Sequence, residues 1–266
     1  MSRSTLALTI LSLAALSATD VFGASLVASY SFNNSLAADS GSAPNLVSID
    51  PLNKNSFETA IVNGVTQTVF RWSGDGSSPT LHAGLSLDAT GLVAYDNYSV
   101  ELRFEFLDQA AFGSGWRRII DTQNRQSDNG FYVSPQNTLQ VYPVVSGSTT
   151  YTTPGFHDVV LTNFVVNGVR EVKAYLDGNL ELVSNTDQLN LDNSNNPGHL
   201  LYFFADNLAG PAQLEFADGR IASLKLYDGV ITVPVPAALW LFSSALVGLG
   251  AIGKTRNTKR TNDSAV

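Results

Sequence analysis

The sequence predicts an all-β protein built as an antiparallel two-sheet sandwich. Residues 98–106 alternate apolar and polar side chains, so Tyr98, Val100, Leu102, Phe104 and Phe106 fall on one face. A period of two is that of a strand with one buried face. Asn-Gly at 167–168 and Asp-Gly at 177–178 are typical of tight hairpin turns, and no long 3.6-residue period occurs between 24 and 232.

The chain begins with the three parts of a secretory signal peptide. Arg3 gives a short positive start, residues 6–16 form an apolar stretch, and small residues follow. Cleavage after Ala18 or after Gly23 fits this pattern. A helix buried in the fold is the alternative interpretation, but the apolar stretch is short and has the flanks of a signal. The sequence therefore predicts a signal peptide over 1–23 and processing by a signal peptidase.

Residues 24–232 are expected to form one exported domain with a large core. The chain contains no cysteine, so disulfide bonds cannot stabilise it. This segment carries 10 basic and 21 acidic side chains, a net charge of −11. Such a surface disfavours nucleic acid and anionic lipid as partners, and it is compatible with divalent cations and with neutral or basic glycans.

Strands are expected throughout this domain. Besides 98–106, the β-type runs are 25–32, 67–72, 117–121, 130–134, 139–142, 158–166, 171–176, 180–183, 199–204 and 213–227. Because the two glycine turns join three of these runs, residues 157–183 are predicted to form a three-stranded meander.

Three segments resemble parts of laminin-G-like, concanavalin-A-like jelly rolls. Residues 26–40 resemble the opening strand, Lys173-Ala-Tyr-Leu-Asp-Gly178 the central hairpin, and residues 219–232 the closing strand. Residues 116–132 also resemble a stretch of such domains. The resemblance spans nearly the whole domain and implies a jelly-roll sandwich, a fold that often holds a calcium ion.

Asp206 and Asn207 are the predicted calcium site, because the resemblance places them in a loop at the end of a core strand. Calcium takes six to eight oxygen ligands from carboxylates, amides and carbonyls. The other groups with such ligands are Asp121 with Asp128 and Asn129, and Asp187 with Asp192. None has the spacing of an EF-hand loop, and Asp and Asn are also ordinary turn residues.

A glycan site is predicted at Trp116, Arg117, Asn129 and Tyr132, since sugars stack on aromatic rings and bond with amide and guanidinium groups. Other aromatic candidates are Trp72, Tyr142 and Tyr151. Each of these rings would also suit the core of a sandwich. The glycines at 113 and 115 suggest a loop before Trp116, so its position in the core or on the surface stays open.

The sequence predicts no enzymatic activity. Glu101 and Glu105, with Arg103 between them, come nearest to the Glu-x-Asp-x-x-Glu motif of glucanases that share the sandwich. Four residues along a strand separate Cα atoms by about 13 Å, whereas the carboxyl groups of glycosidases lie about 5.5–9.5 Å apart. We expect these side chains to form an exposed charged row. The three histidines lack metal-ligand spacing, and no Gly-x-Ser-x-Gly elbow occurs.

The C-terminal stretch 233–260 has three parts in fixed order. They are a Pro-x-Pro motif (Val233, Pro234, Val235, Pro236), an uncharged apolar run from Ala237 through Trp240 to Gly253, and a basic cluster (Lys254, Arg256, Lys259, Arg260). As a helix, 235–253 would reach roughly 28 Å, close to the ~30 Å of a bilayer core. The cations place 254–266 in the cytoplasm, with 261–266 as a short tail. A buried core helix is the alternative, but the run lacks a polar stripe.

This tail resembles the PEP-CTERM sorting signal of Gram-negative bacteria, which is thought to be processed by an exosortase. The usual motif is Val-Pro-Glu-Pro, and Val235 stands here in place of the glutamate, as in VPxPA variants. The resemblance implies an exosortase-type partner and a bacterium that makes exopolysaccharide. We therefore expect a carbohydrate-binding protein of the cell surface or extracellular matrix. The alternatives are a structural matrix protein without a sugar site and a glycoside hydrolase.

Overall fold

The computed structural model describes residues 23–39, 43–107, 114–208 and 215–233. Over these residues the chain forms fifteen strands and one short 3₁₀ helix, Pro79–Leu81. The strands are β1 (Ser25–Tyr30), β2 (Val47–Ile49), β3 (Ser56–Val62), β4 (Val65–Trp72), β5 (Gly84–Asp88), β6 (Tyr98–Phe106), β7 (Arg117–Asp121), β8 (Gly130–Val133), β9 (Thr138–Tyr142), β10 (Val145–Thr150), β11 (His157–Val166), β12 (Val169–Leu176), β13 (Asn179–Ser184), β14 (Leu200–Phe203) and β15 (Gly219–Asp228). The prediction of an all-β fold is confirmed over these residues.

The strands form two antiparallel sheets in a jelly-roll-like sandwich. The eight-stranded sheet has the order β13-β12-β11-β6-β15-β4-β3, and β1 also pairs with β15. The seven-stranded sheet has the order β10-β9-β8-β7-β14-β5-β2. Every recorded strand pair in the two sheets is antiparallel. The two-sheet antiparallel prediction is therefore confirmed as well.

The core lies between the sheets and is rich in aromatic rings. The five apolar side chains of β6 that the sequence places on one face are all fully buried. Trp72 stacks on Phe204 with 3.7 Å between ring centroids and 4° between planes. The indole Nε1 donates a hydrogen bond of 2.8 Å to the carbonyl oxygen of Ala217. Burying a polar atom that has a hydrogen-bond partner costs little free energy, so the Trp72 ring can lie fully in the core.

The predicted meander over 157–183 is confirmed. Strands β11, β12 and β13 pair antiparallel in sequence. The two turns contain Asn167, Gly168, Asp177 and Gly178, all with φ between 50° and 80°. Asn, Asp and Gly tolerate this left-handed region better than other residues, which explains the turn positions.

Strand β15 begins at Gly219, six residues later than the sequence pattern predicts. The preceding residue, Asp218, still accepts a backbone hydrogen bond from Leu107 N at 2.9 Å. Its carboxylate also accepts hydrogen bonds from Ser73 Oγ at 2.8 Å and Gly74 N at 3.0 Å, in the segment after β4. Four strands, β2, β3, β5 and β10, were not predicted.

No helix among the described residues has both the length and the hydropathy to cross a membrane. The predicted membrane run, with Ala237, Trp240 and Gly253, lies outside those residues. So do most of the predicted signal peptide, Pro234 to Pro236, and the basic cluster from Lys254 to Arg260.

Candidate binding face on the seven-stranded sheet

One face of strands β7, β8 and β9 carries Arg118, Tyr132, Gln140 and Tyr142. Arg118 lies opposite Tyr132, Tyr132 lies opposite Gln140, and Gly130 lies opposite Tyr142. Directly opposed residues of an antiparallel pair share a face of the sheet. Tyr132 and Tyr142 therefore point to the same side, away from the core that Phe131 and Val133 enter from alternate positions.

Three rings on this face form a cluster that we call the aromatic triad: Trp116, Tyr132 and Tyr142. Their centroids lie 5.5 Å (Trp116 to Tyr132), 5.2 Å (Trp116 to Tyr142) and 6.2 Å (Tyr132 to Tyr142) apart, with the planes near perpendicular. Trp116 and Tyr142 are partly exposed, whereas Tyr132 is buried. The edge-to-face arrangement fixes the rings and leaves two of them accessible to a ligand.

The guanidinium of Arg118 packs against Tyr132, the buried ring of the triad. Its Cζ lies 4.5 Å from the centroid of the Tyr132 ring, and its Nη2 donates a hydrogen bond to the Tyr132 hydroxyl. That hydroxyl in turn donates to the carbonyl oxygen of Asp128 at 2.9 Å. A stacked and doubly bonded ring has little rotational freedom, so Tyr132 is held in one orientation.

Arg118 is fully buried, and its charge is matched by two buried carboxylates. Its Nη1 bonds the Asp121 carboxylate, and its Nε lies 2.8 Å from Asp206 Oδ1. Its Nη2 also donates to the carbonyl oxygen of Ser127 at 3.1 Å. A buried ion pair contributes favourably only when further hydrogen bonds satisfy its remaining groups. Nη1 and Nη2 of Arg118 have such partners, whereas Nε, beside Asp206, and Asp206 Oδ2 have none with hydrogen-bond geometry among the described residues.

Two pairs of predicted calcium ligands that lie far apart in sequence come together beside Arg118: Asp206 with Asn207, and Asp128 with Asn129. Asn207 Nδ2 donates to Asp128 Oδ1 at 2.6 Å across 79 positions of sequence. The backbone carbonyl of Asn129 lies 3.4 Å from Arg118 Nη1. The sequence names Asp206, Asn207, Asp128 and Asn129 as separate candidates, and the structure joins them into one network.

The loop after β7 closes over this network. Arg125 Nε donates to the carbonyl oxygen of Asp206 at 2.6 Å, and its Nη2 donates to that of Pro79 at 3.0 Å. The Tyr202 hydroxyl donates to Asn124 Oδ1 at 2.9 Å. Asp121 Oδ1 accepts from the backbone N–H groups of Gln123 and Arg125 at 2.9 and 3.0 Å. These bonds tie the loop to three other segments, so the base of the candidate site is rigid.

Burial changes the acidity of the carboxyl groups around Arg118. It raises the pKa of Asp121 and of Asp206, and the adjacent guanidinium opposes both shifts. The pKa of Glu215 rises to about 8, first because of burial and then because of the negative charge of Asp206. At neutral pH the protonated carboxyl of Glu215 can donate a hydrogen bond to Asp206, which explains why two acids can share this site.

The predicted calcium site stays a prediction. Asp206 and Asn207 are fully buried, and Asp206 faces the guanidinium of Arg118. Among the described residues, no three His, Cys, Asp or Glu side chains are grouped as the ligands of one metal ion.

Arg117 does not join the aromatic triad. It precedes Arg118 on β7 and points to the opposite side of the sheet, as successive strand residues do. Its side chain is buried, with Cζ 5.2 Å from the Phe106 ring and 5.8 Å from the Tyr151 ring. Tyr151 and Trp72, two other aromatic candidates, also lie in the core.

The expectation of an exposed charged row on β6 is wrong for Glu105. This side chain is buried: Arg220 Nη2 lies 2.8 Å from Oε1, and Gly155 N donates to Oε2 at 2.9 Å. The segment around Gly155 lies over it, which the alternation on β6 alone could not indicate. Glu101 is partly exposed and pairs with Lys225 at 2.8 Å.

No protein-family model matches the chain, and no curated protein matches it. Solved structures share its fold. A botulinum neurotoxin type C structure, described as dependent for cell entry on two ganglioside molecules, is 14% identical with a TM-score of 0.51; the match covers 79% of this chain and 49% of that one. The serotype D binding domain is 17% identical with a TM-score of 0.49, covering 78% and 48%.

A protein of unknown function from Shewanella oneidensis MR-1 is 14% identical, with a TM-score of 0.46 and coverage of 82% of this chain and 92% of that one. This chain spans about half the length of the two neurotoxin chains. At 14% identity the type C structure shows a shared fold.

Proposed function

We propose that this chain is an exported, non-enzymatic carbohydrate-binding protein of the bacterial cell surface or matrix, and that the aromatic triad is its sugar site. The observation that carries the proposal is a pair of partly exposed rings, Trp116 and Tyr142, held on a rigid base. Tyr132 and the Arg118 network supply that base. Rings fixed before binding lose little conformational entropy when a sugar stacks on them.

The route to the surface follows from the two chain ends. A signal peptide over 1–23 directs export, and the PEP-CTERM-like tail over 233–260 directs sorting by an exosortase-type enzyme. The membrane helix over 237–253 holds the domain on the outer side of the inner membrane until the tail is processed. A laminin-G-like, concanavalin-A-like domain then faces exopolysaccharide.

The charge of the domain favours a glycan over a nucleic acid or an anionic lipid surface. The domain carries a net charge of −11, which repels phosphate. The type C neurotoxin structure, which shares the sandwich, is described by its interaction with gangliosides. That likeness supplies the fold, and the ligand class is proposed from the triad.

The test is binding of the purified full-length chain to an array of neutral hexose oligosaccharides, followed by titration calorimetry with each ligand found. We expect the double variant W116A/Y142A to bind at least about tenfold more weakly, a loss of about 1.4 kcal/mol. Tyr175, a partly exposed tyrosine of β12 in the other sheet, provides the matched control Tyr175→Ala.

Three results would contradict the proposal. No oligosaccharide bound by the wild type would favour a structural matrix protein. Equal losses in W116A/Y142A and in Tyr175→Ala would place the sugar elsewhere. Release of reducing sugar from a bound glycan would support a glycoside hydrolase, whose carboxylates would have to be found away from the paired Glu101 and Glu105.

A further inference from the structure

Gln140 lies beside the aromatic triad on the same face of the seven-stranded sheet. It is directly opposite Tyr132 of β8 and, across the other edge of β9, opposite Ser146 of β10. Tyr142 follows two positions later on β9, so these two side chains point to the same side, about 7 Å apart between Cα atoms. The register of three strands therefore places an amide group next to the rings that we propose as the sugar site.

The amide of Gln140 has hydrogen-bonding capacity that the protein does not use. Its side chain is partly exposed, and among the residues that the structure describes it has no hydrogen-bond partner. The nearby hydroxyl groups of Ser134 and Thr138 differ, because they bond each other at 2.9 Å. A primary amide supplies two donor hydrogens and one carbonyl acceptor. Gln140 can therefore bond a ligand without breaking a bond inside the described part of the chain.

The strands around Gln140 carry no charge. Residues 130–156, which contain β8, β9 and β10, include no Asp, Glu, Lys or Arg, although the domain has 10 basic and 21 acidic side chains. Arg118 is fully buried against Asp121 and Asp206, so its charge is not presented to a ligand. Moving an ionised group out of water costs much free energy unless a group of opposite charge pairs with it. These strands therefore favour an uncharged ligand.

We propose that the sugar bound at the aromatic triad is a neutral hexose within an oligosaccharide, and that Gln140 selects it by bonding two adjacent hydroxyl groups. This inference rests on the proposed function, since it takes the triad as the place where the sugar ring stacks. A ring that stacks on Trp116 or Tyr142 does so through its apolar face. Its hydroxyl groups then point outward along the sheet face, where the amide of Gln140 can donate to one and accept from the next.

The selectivity follows from the directions of the hydroxyl groups. Hexoses that are epimers differ only in the direction of one hydroxyl, which changes the apolar face of the ring little and the hydrogen bonds much. An amide held on a strand meets one of these arrangements with both bonds and the others with one or none. Two neutral hydrogen bonds account for a preference of about tenfold between ligands.

The experiment is calorimetry of the purified full-length chain with trisaccharides of β-1,4-linked glucose, mannose and galactose, and with the uronic acid trimer of the preferred sugar. It is done at about pH 7, where ordinary carboxyl groups are ionised. We expect one neutral trisaccharide to bind at least about tenfold more tightly than the other two. Its uronic acid counterpart should bind at least about tenfold more weakly than the neutral form.

The test variant is Gln140→Met, which keeps the length of the side chain and removes the amide. We expect it to bind the preferred trisaccharide at least about fivefold more weakly and the other two within about twofold of the wild type, so that the preference largely disappears. A change in packing alone would weaken all three alike. The matched control is Gln67→Met, since Gln67 is a partly exposed glutamine of β4 in the other sheet. If Gln140→Met fails to fold, Gln140→Ala replaces it.

Equal binding of the three neutral trisaccharides by the wild type, or a preference that survives in Gln140→Met, would overturn the role of Gln140. A uronic acid trimer bound as tightly as its neutral form would overturn the neutral ligand. The variant W116A/Y142A separates this inference from the proposed function. If that variant binds the preferred trisaccharide as the wild type does, the triad is not the site and the proposed function fails. A loss in W116A/Y142A together with an unchanged preference in Gln140→Met rejects only the selection by Gln140.

Discussion

Arg118 determines the candidate site at the scale of single residues. One guanidinium touches the Tyr132 ring, the carboxylates of Asp121 and Asp206, and the carbonyl of Ser127. Gly130 makes room for it: a Cβ at that position would lie 3.1 Å from Arg118 Nη1. The fixed arrangement of the partly exposed aromatic rings therefore depends on a guanidinium that is fully buried.

Glu215 makes stability depend on pH. Its pKa is about 8 in the folded chain and 4.5 for an ordinary glutamate, so the folded state holds a proton that the unfolded state has released between these values. The free energy of unfolding therefore falls as pH rises from about 4.5 to about 8. Glu215→Gln cannot ionise, and we expect it to be more stable than the wild type by about 1–3 kcal/mol at pH 8.5.

The measurement is urea unfolding of both proteins at about pH 5 and at about pH 8.5. At about pH 5 the two free energies of unfolding should differ little. Glu171→Gln is the control, because Glu171 is partly exposed beside Lys173. A Glu215→Gln variant that gains nothing at pH 8.5 would show that Glu215 is ionised without cost in the folded chain.

The sequence predicts aromatic and polar side chains near residue 116 but not their arrangement. Trp116 and Tyr132 are in contact, and the Asn129 carbonyl lies beside Arg118. Arg118, and not the predicted Arg117, shares their face, because that depends on the register of β7 with β8, which a single strand pattern leaves open. The contact of Asp128 with Asn207 depends on two distant loops and has no local signal.

Gly219 decides the packing of β15 at the scale of elements. This strand contacts β1, β4 and β6. A Cβ at Gly219 would lie 2.1 Å from a ring carbon of Trp72 and 2.5 Å from the carbonyl oxygen of Glu105. Neither the stacked indole nor the backbone can yield easily.

We expect Gly219→Ala to lower the free energy of unfolding by about 2–4 kcal/mol. Gly198→Ala is the matched control, since its nearest neighbour would be 3.7 Å away, an ordinary contact. Urea unfolding at neutral pH measures both. Similar midpoints for the two variants would mean that Trp72 can move aside.

The four strands that the sequence analysis does not predict differ in how readable they are. Strand β10 is Val-Ser-Gly-Ser-Thr-Thr and is largely exposed, and β2 has three residues. Strand β5 does alternate, with Leu85 and Leu87 buried, and β3 is joined to β4 by Asn63-Gly64, so these two had a local signal. Strand β14 is shorter than predicted because His199 and Phe204 at its two ends have φ of 50° and 67°. Such backbone reversals at a histidine and a phenylalanine have no signature in composition.

Calcium is tested at the scale of the whole molecule, by thermal unfolding of the full-length chain with EDTA and then with excess calcium. A ligand that binds the folded state alone raises the melting temperature. The predicted ligands are Asp206 and Asn207, so a higher melting temperature with calcium than with EDTA is the expected result. No rise would contradict the predicted calcium site.

Ser25 lies opposite Asp228 in the ladder of β1 and β15, so the two ends of the domain leave the sandwich side by side. A mechanical load that pulls these ends apart acts on the hydrogen bonds of that ladder one at a time, starting from the outermost pair. The domain should therefore open at a lower force when it is pulled by these two ends than it would if the same hydrogen bonds were loaded together.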